Sequence, residues 1–297
     1  MLYQGGVSRS IVMGISVQNL THIYNYKLPW EFKALDSISF SVEDGEGFAV
    51  LGGAGSGKST LAQHVNGLLF PTSGKVIVNG TTVKPGVNLL ELRKTVGMVF
   101  QYPEAQLFGE TVFEEVAFGL RNLGFSEEVV ESQVQEALNL VGFMPSAIRH
   151  RNPLLLSGGE KRKVALAGII AMKSSILVLD EPTSGLDIRS KKEVLTFLKE
   201  YRKANKAIIV YITHSLEEAL SICERGIILS EGKQVYQGDL PEYFIKNEDW
   251  KYLNIEPPIN RGIALTLKEK GLKINDRIIT RLELIKEIEK CFKTIKT

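Results

Sequence analysis

Glycines, a lysine, hydroxyls and a carboxylate pair recur in this chain at spacings suited to holding a polyphosphate and cutting it. The segment GGAGSGKST places Gly52, Gly53, Ala54, Gly55, Ser56, Gly57, Lys58, Ser59 and Thr60 in the pattern G-x-x-x-x-G-K-S/T. It follows an apolar run, Phe48 to Leu51, that reads as a buried strand, and precedes Leu61 to Leu69, which reads as a helix. A loop joining a strand end to a helix start turns backbone N–H groups toward an anion. Glycine permits the positive φ angles and close approach this needs. The spacing assigns Lys58 to the β- and γ-phosphates of a nucleotide and the Ser59 hydroxyl to Mg²⁺. A second strand-like run, ILVLDEP at 176–182, ends in two carboxylates. Parallel sheets bind ligands beyond the carboxyl ends of their strands. Asp180 is therefore expected to hold Mg²⁺, directly or through water, and Glu181 to orient and polarise an attacking water.

A third motif, LSGGE at 156–160, opens another helix. Ser157 is a plausible N-cap, and Gly158 and Gly159 let a helix N-terminus approach an anion. S-x-x-E is also a capping box, in which Glu160 folds back on the Ser157 N–H, and this reading is preferred for a carboxylate that would otherwise repel a phosphate. Lys161, Arg162 and Lys163 either offset that charge or form a solvated helix face.

Together with the glycine loop, the acidic pair, Gln101 and His214, the LSGGE motif makes the chain resemble the ATP-binding cassette (ABC) superfamily of ATPases over roughly residues 14–240. The resemblance implies ATP and Mg²⁺ as cofactors and two nucleotide domains sandwiching two ATP molecules head to tail. By the same resemblance, Ser157, Gly158 and Gly159 contact the γ-phosphate held by Lys58 of the other domain. Gln101 senses Mg²⁺ and the attacking water and leads to the transporter contact, His214 holds the γ-phosphate, and Asp187 in SGLD communicates across the dimer. Tyr24 matches the aromatic that stacks on adenine, with Tyr26 and Trp30 as close rivals. Glu160 departs from the glutamine commonest in the family.

The elements that must position these groups are legible as apolar runs at 38–42, 48–51, 96–100, 176–179, 207–212 and 226–229, alternating with helical stretches. That alternation points to an α/β fold with a mostly parallel sheet. By resemblance it is a P-loop NTPase. The hairpin-like KVIVNG at 75–80 adds an antiparallel β piece, and helical stretches at Val112–Leu123 and Glu127–Val141 form an inserted helical subdomain, about 101–165, within a nucleotide-binding domain at 14–240. Residues 1–13 lack a signal-peptide h-region and read as a disordered lead or an expression remnant. Residues 241–297 read as a small C-terminal helical extension. In it Asn275 caps a helix whose stripe Ile278, Leu282, Ile285, Ile288 and Phe292 must be buried, against its own domain or as a dimerisation element.

At 297 residues the chain is long enough for one large core and an appendage, and its formal net charge of +2 gives no reason to expect a nucleic-acid partner. Two cysteines, Cys223 and Cys291, lack metal spacing and fit a reducing compartment. No apolar run approaches the roughly 18 residues of a membrane span.

The segments LNIEPPINRGIALTLKEKGLKI at 253–274 and VFQYPEAQLF at 99–108 resemble, more narrowly, the ATPase subunits of energy-coupling factor (ECF) transporters. That resemblance implies an importer of vitamins or transition-metal ions built from two ATPases, identical or paralogous, a membrane coupling subunit and a substrate-binding membrane subunit. It places the chain peripherally on the cytoplasmic face of the membrane. A groove near Gln101, with Glu104, Glu114 and Glu115, would receive helices of the coupling subunit, the acids suiting arginines. The alternatives are the ATPase of another ABC transporter or a soluble ABC ATPase. A DNA-acting member would carry a long coiled coil between Gln101 and Leu156, and that stretch is too short for one.

Overall fold

The computed structural model describes residues 13–247, 252–256, 258–275, 277–278 and 281–295. The expected lead at 1–13 lies outside them except for Met13. In chain order the elements are β1 (Met13–Tyr24), β2 (Phe32–Glu43), β3 (Gly47–Leu51), α1 (Lys58–Val65), β4 (Ser73–Val78), β5 (Thr81–Thr82), α2 (Leu89–Thr95), β6 (Val96–Val99), α3 (Val112–Asn122), α4 (Glu127–Leu140), α5 (Pro145–Ile148), α6 (Gly158–Ala171), β7 (Ile176–Asp180), α7 (Ile188–Asn205), β8 (Ile208–Thr213), α8 (Leu216–Ile222), β9 (Arg225–Ser230), β10 (Lys233–Asp239), α9 (Leu240–Lys246), α10 (Ile259–Glu269) and α11 (Arg281–Ile295).

These strands form one sheet in the order β5-β4-β1-β2-β10-β9-β3-β8-β7-β6. The strands β9-β3-β8-β7-β6 are mutually parallel. Both faces of this part are covered, so β3, β7 and β8 are buried at every position. Alternate side chains feed two cores: Phe48, Val50, Val178 and Val210 on one face, Leu51, Leu179, Ile209 and Tyr211 on the other. At the carboxyl edge Leu51 pairs with Thr213 and Asp180 with Ile212. That register sets the glycine loop, the acidic pair and His214 side by side, although they are far apart in sequence.

The antiparallel piece is larger than the expected hairpin. The hairpin itself is present, with β4 and β5 joined through Asn79 (φ 44°) and Gly80 (φ 78°), the pair of positive φ angles that a tight hairpin turn requires. Flanking it are β1 and β2, 12 residues each. The expected run at 38–42 is the second part of β2, while register shifts within the pairing break the period of two that would have announced β1 and the first part of β2. Helix α1 also differs from the expected Leu61–Leu69: it begins at Lys58, directly after the left-handed Gly57 (φ 100°), and ends before Gly67 (φ 73°).

Helices α3 and α4 pack on α6, and their apolar residues Val116, Leu120, Val134 and Leu138 join Val164 and Ile170 in the core that covers β7 and β8. Helices α10 and α11 share a small separate core of Ala264, Ile274, Ile278, Leu284 and Cys291. The expected stripe on α11 is therefore corrected. The buried face runs through Leu284, Ile288 and Cys291, at helical spacing, while Leu282, Ile285 and Phe292 are 71%, 41% and 58% exposed. Nor does Asn275 cap α11: its side chain accepts from the Arg277 N–H, and α11 starts at Arg281. No described helix is long and apolar enough to cross a membrane.

Candidate active site

Between β3 and α1 the glycine loop turns back over the sheet edge. A Cβ on Gly57 would lie 2.7 Å from the Ala34 carbonyl, and one on Gly52 2.3 Å from the Leu229 carbonyl, so the loop path admits no side chain at either position. Lys58 folds over this loop, its Nζ donating to the Gly52 and Gly53 carbonyls at 2.8 and 2.7 Å. Burial pushes its pKa down, against the opposing pull of Glu181 and Asp180. The buried Ser56 hydroxyl has no hydrogen-bond partner among the described residues. An ammonium resting on carbonyls and an orphaned hydroxyl in a glycine-lined cradle are what a polyphosphate would engage, and the cradle fits one.

A cleft of about 390 Å³ opens beside the loop, lined by Ala54, Gly55, Lys58, Ser59, Gln101, Asp180, Glu181 and His214, together with Tyr102, Ser184 and Asn254. Asp180 is 3% exposed, and burial raises its pKa despite a hydrogen bond from Ser59. Ser59, Asp180 and Gln101 converge as oxygen donors. Among the described residues no group of three carboxylate, histidine or cysteine side chains could hold a metal alone. The donor set thus suits Mg²⁺, which binds through one or two protein ligands plus substrate phosphates.

Glu181 sits in the left-handed region (φ 50°), pinned by its N–H to the Ile212 carbonyl at 3.0 Å and by its own carbonyl, which accepts from Ser184 N–H at 3.1 Å. Such backbone strain gathers where a side chain must be aimed. Its Oε1 accepts from both the main-chain N–H and Nδ1 of His214, at 3.1 and 2.7 Å. Tyr24, at the end of β1, has its hydroxyl 3.2 Å from Thr60 Oγ1 on α1. Tyr26 and Trp30 stand exposed in the following turn.

The structure does not bring Ser157, Gly158, Gly159 or Asp187 into this cleft. Ser157 caps α6 in a complete capping box: its Oγ accepts from Glu160 N–H at 3.3 Å, and Glu160 Oε2 accepts from Ser157 N–H at 2.9 Å. The capping reading of Glu160 is what the geometry shows. Both glycines follow on the first turn, Gly158 exposed and Gly159 partly covered. Asp187 caps α7, accepting from the Arg189 and Ser190 N–H groups at 3.0 Å.

Residues 35–184 match the family model described as ABC transporter. The energy-coupling factor transporter ATP-binding protein EcfA2 of Clostridium tetani is 40% identical over 94% of this chain and 98% of its own length. Its namesake in Acetivibrio thermocellus is 41% identical over 94% and 98%. The chain belongs to the ABC transporter family, among its energy-coupling factor ATP-binding proteins. It is an ATP-binding and ATP-hydrolysing protein. Among solved structures, CbiO1 of Clostridium perfringens, described as part of the ABC transporter complex CbiONQ, superposes with a TM-score of 0.73 at 32% identity, covering 87% of this chain and 97% of that one. The cassette MJ0796, in a dimeric post-hydrolysis state bound to ADP and phosphate, gives 0.69 at 26% identity, covering 76% and 98%.

Three groups in this ATPase escape the sequence motifs. Arg162 is 2% exposed, far from a solvated helix face. Its guanidinium donates to both oxygens of Glu104 (2.8 and 2.6 Å from Nη2), to the Pro182 carbonyl and to the Ser184 carbonyl. It thereby ties α6 to the turn after Gln101 and to the loop after Glu181. Behind His214, the buried Glu218 accepts from Thr183 and Tyr211 at 2.6 and 3.0 Å and pairs with Lys191 at 2.5 Å. Burial alone would raise the pKa of Glu218, but the hydrogen bonds from Lys191 and Thr183 bring it below its ordinary value. Asn254, from the segment before α10, lines the cleft, and no nucleotide motif marks it.

Proposed function

We propose that the chain is the ATP-hydrolysing subunit of an ECF-type importer, driving uptake of a vitamin or transition-metal ion through a membrane coupling subunit and working in a pair with a second ATPase, identical or paralogous. One observation supports the paired arrangement above all. The phosphate cleft holds Lys58, Ser59, Gln101, Asp180, Glu181 and His214, while Ser157, Gly158 and Gly159 are presented outward on α6, away from the cleft of their own chain. A second copy presenting the same helix N-terminus would complete each cleft, and its dipole favours a γ-phosphate. The dimeric ADP-bound neighbour and the complex containing CbiO1 support this reading for relatives.

In the working site, Lys58 leaves the loop carbonyls for the β- and γ-phosphates, and Ser59, Asp180 and Gln101 would hold Mg²⁺, which would supply neutralisation of charge on the phosphate oxygens. Glu181 accepts a proton from the attacking water as its oxygen bonds to the γ-phosphorus and the bond from that phosphorus to the β–γ bridging oxygen breaks, ADP leaving, and His214, released from Glu181, contacts the γ-phosphate. Tyr24 supports the adenine. The body of the cassette is residues 14–240, with a helical subdomain at about 101–165. The extension at 241–297 adds a dimer contact through the exposed Leu282, Ile285 and Phe292.

Docking to the coupling subunit, and so to the cytoplasmic face of the membrane, is assigned to a cavity of about 650 Å³ near Gln101, walled by Leu68, Leu90, Phe100, Phe108 and Phe118. The carboxylates expected to meet arginines there are already engaged within the chain. Glu104 holds Arg162, Glu114 holds Arg121, and Glu115 accepts from the Phe108 and Gly109 N–H groups. Apolar contact, led by the half-exposed edge-to-face pair Phe108 and Phe118, therefore carries the docking.

Glu181→Gln tests the assignment. It keeps the shape and an acceptor but removes the base, so hydrolysis should fall about 10²- to 10⁴-fold while Mg-ATP still binds. Size-exclusion chromatography with Mg-ATP should then show a stable nucleotide-loaded dimer, because ligands that bridge two chains favour the assembled form. Hydrolysis at the wild-type rate would remove Glu181 from the chemistry.

A further inference from the structure

The segment Leu253–Glu256, which belongs to the C-terminal extension, is laid against the phosphate end of the cleft. Its main chain makes a two-way clamp on the loop after β8: Glu256 N–H donates to the His214 carbonyl at 3.0 Å, and the Glu256 carbonyl accepts from Leu216 N–H at 3.3 Å. The result is a short parallel bridge between Ser215 and Glu256. Ile255, 3% exposed, anchors the segment in the main core beside Tyr211 and Ala219. On the cleft side, Asn254 packs so closely on the glycine loop that a Cβ at Gly53 would fall 2.8 Å from the Asn254 Cβ. The Glu256 carboxylate lies 3.6 Å from His214 Nε2, so the imidazole stands between Glu256 and Glu181.

We propose that this strap is a positioning and phosphate-recognising part of the nucleotide site of its own chain. Asn254 presents its amide to the γ-phosphate end, and the backbone of Glu256 fixes the loop that carries His214. The inference rests on the ATPase reading above. Asn254 has the left-handed conformation (φ 52°) that asparagine adopts more readily than most residues, so the turn aims its side chain into the cleft. The amide is uncharged and carries two donors, which lets it meet a phosphate oxygen where a carboxylate could not. Because Lys58, Glu181 and His214 line the same cleft, the strap acts on the terminal phosphate, and its loss distinguishes ATP from ADP.

The test is calorimetric binding of ATP and of ADP to the full nucleotide-free chain. Asn254→Gly keeps the backbone and deletes the amide, and should weaken ATP about tenfold while leaving ADP unchanged, since a hydrogen bond to a charged group is lost. Asn254→Asp sets a carboxylate against the phosphate and should weaken ATP more than the glycine variant, again with ADP spared. Lys58→Ala is the separate control, and it should weaken both nucleotides. If Lys58→Ala behaves so but both Asn254 variants bind ATP as the wild type does, the strap assignment is overturned and the site stands. An equal loss of ATP and ADP in the Asn254 variants would also overturn it, reducing the strap to a packing role. If Lys58→Ala binds both nucleotides normally, the site reading itself fails.

Discussion

Arg162 offers the most demanding test of how the ATPase is tied together. Replacing it with methionine keeps most of the volume and removes the guanidinium. Breaking a buried ion pair from one side costs about 3–5 kcal/mol. Here the abandoned Glu104 side chain is 27% exposed and rehydrates in part, which argues for the lower end. The Pro182 and Ser184 carbonyls lose donors as well, at about 1 kcal/mol each, and such terms within one network are not additive. A loss of about 4 kcal/mol follows, and for a chain of this size that lowers Tm by about 6 °C. Thermal and urea melts of Arg162→Met against wild type measure it. The double variant Arg162→Met with Glu104→Gln should recover a good part of the loss, because no carboxylate is then left without its partner. A Tm for Arg162→Met within about 2 °C of wild type would mean the network is not the clamp described, since less than about 1 kcal/mol would then reside in it.

Three further outcomes are expected. Ser157→Arg should leave ATP binding by the isolated chain intact while abolishing ATP-dependent dimerisation and turnover, and a variant that still dimerises and turns over would refute a site completed in trans. Glu160→Gln, by contrast, should shift Tm by less than about 3 °C, because glutamine serves the same capping position. The third outcome concerns acid. His64 is fully buried on α1, its Nδ1–H donating to the Thr60 carbonyl at 2.7 Å and its Nε2 3.1 Å from His22 Nδ1, and burial pushes its pKa down to about 4. A histidine held neutral in the fold contributes stability that is complete above the unfolded pKa near 6.5 and is lost as pH falls from there toward 4, up to roughly 3 kcal/mol. Urea melts between pH 7.5 and 5 should show a shallower pH slope for His64→Asn than for wild type, and identical slopes would exclude the buried neutral imidazole.

What could be seen in the sequence was what is local or uniformly apolar. The strands β3, β7 and β8 are buried at every position, so each stands out as an unbroken apolar run. The glycine loop, the acidic pair and the capping box are short-range patterns that the backbone itself demands. Strand β1 and the first part of β2 stayed hidden because bulges interrupt their alternation, although 38–42 of β2 stood out as an apolar run, and the α11 stripe took in Leu282, Ile285 and Phe292 in place of Leu284 and Cys291 because both sets stand at helical spacing from Ile288. Arg162 sits in a run of three cations that looks solvated. Its burial depends on Glu104, 58 positions away, and no local pattern reports that distance. Asn254 lies in the 253–274 segment that carries the narrower resemblance but in no nucleotide motif, and only the tertiary path of the extension brings it to Gly53.

Helix α6 carries Ser157 at its N-cap and Arg162 five residues later, about 7.5 Å along the axis. The N-terminal end of this rod faces outward, and little more than one turn further along Arg162 grips the turn beside the apolar docking cavity. In the proposed pair, a push delivered by the membrane subunits to one chain would thus be felt first at the nucleotide held by the other. The wiring is crossed. In a mixed dimer of that kind with Ser157 altered in a single chain, the impaired ATP would be the one bound by the unaltered chain, so that a lesion and its symptom sit in different molecules.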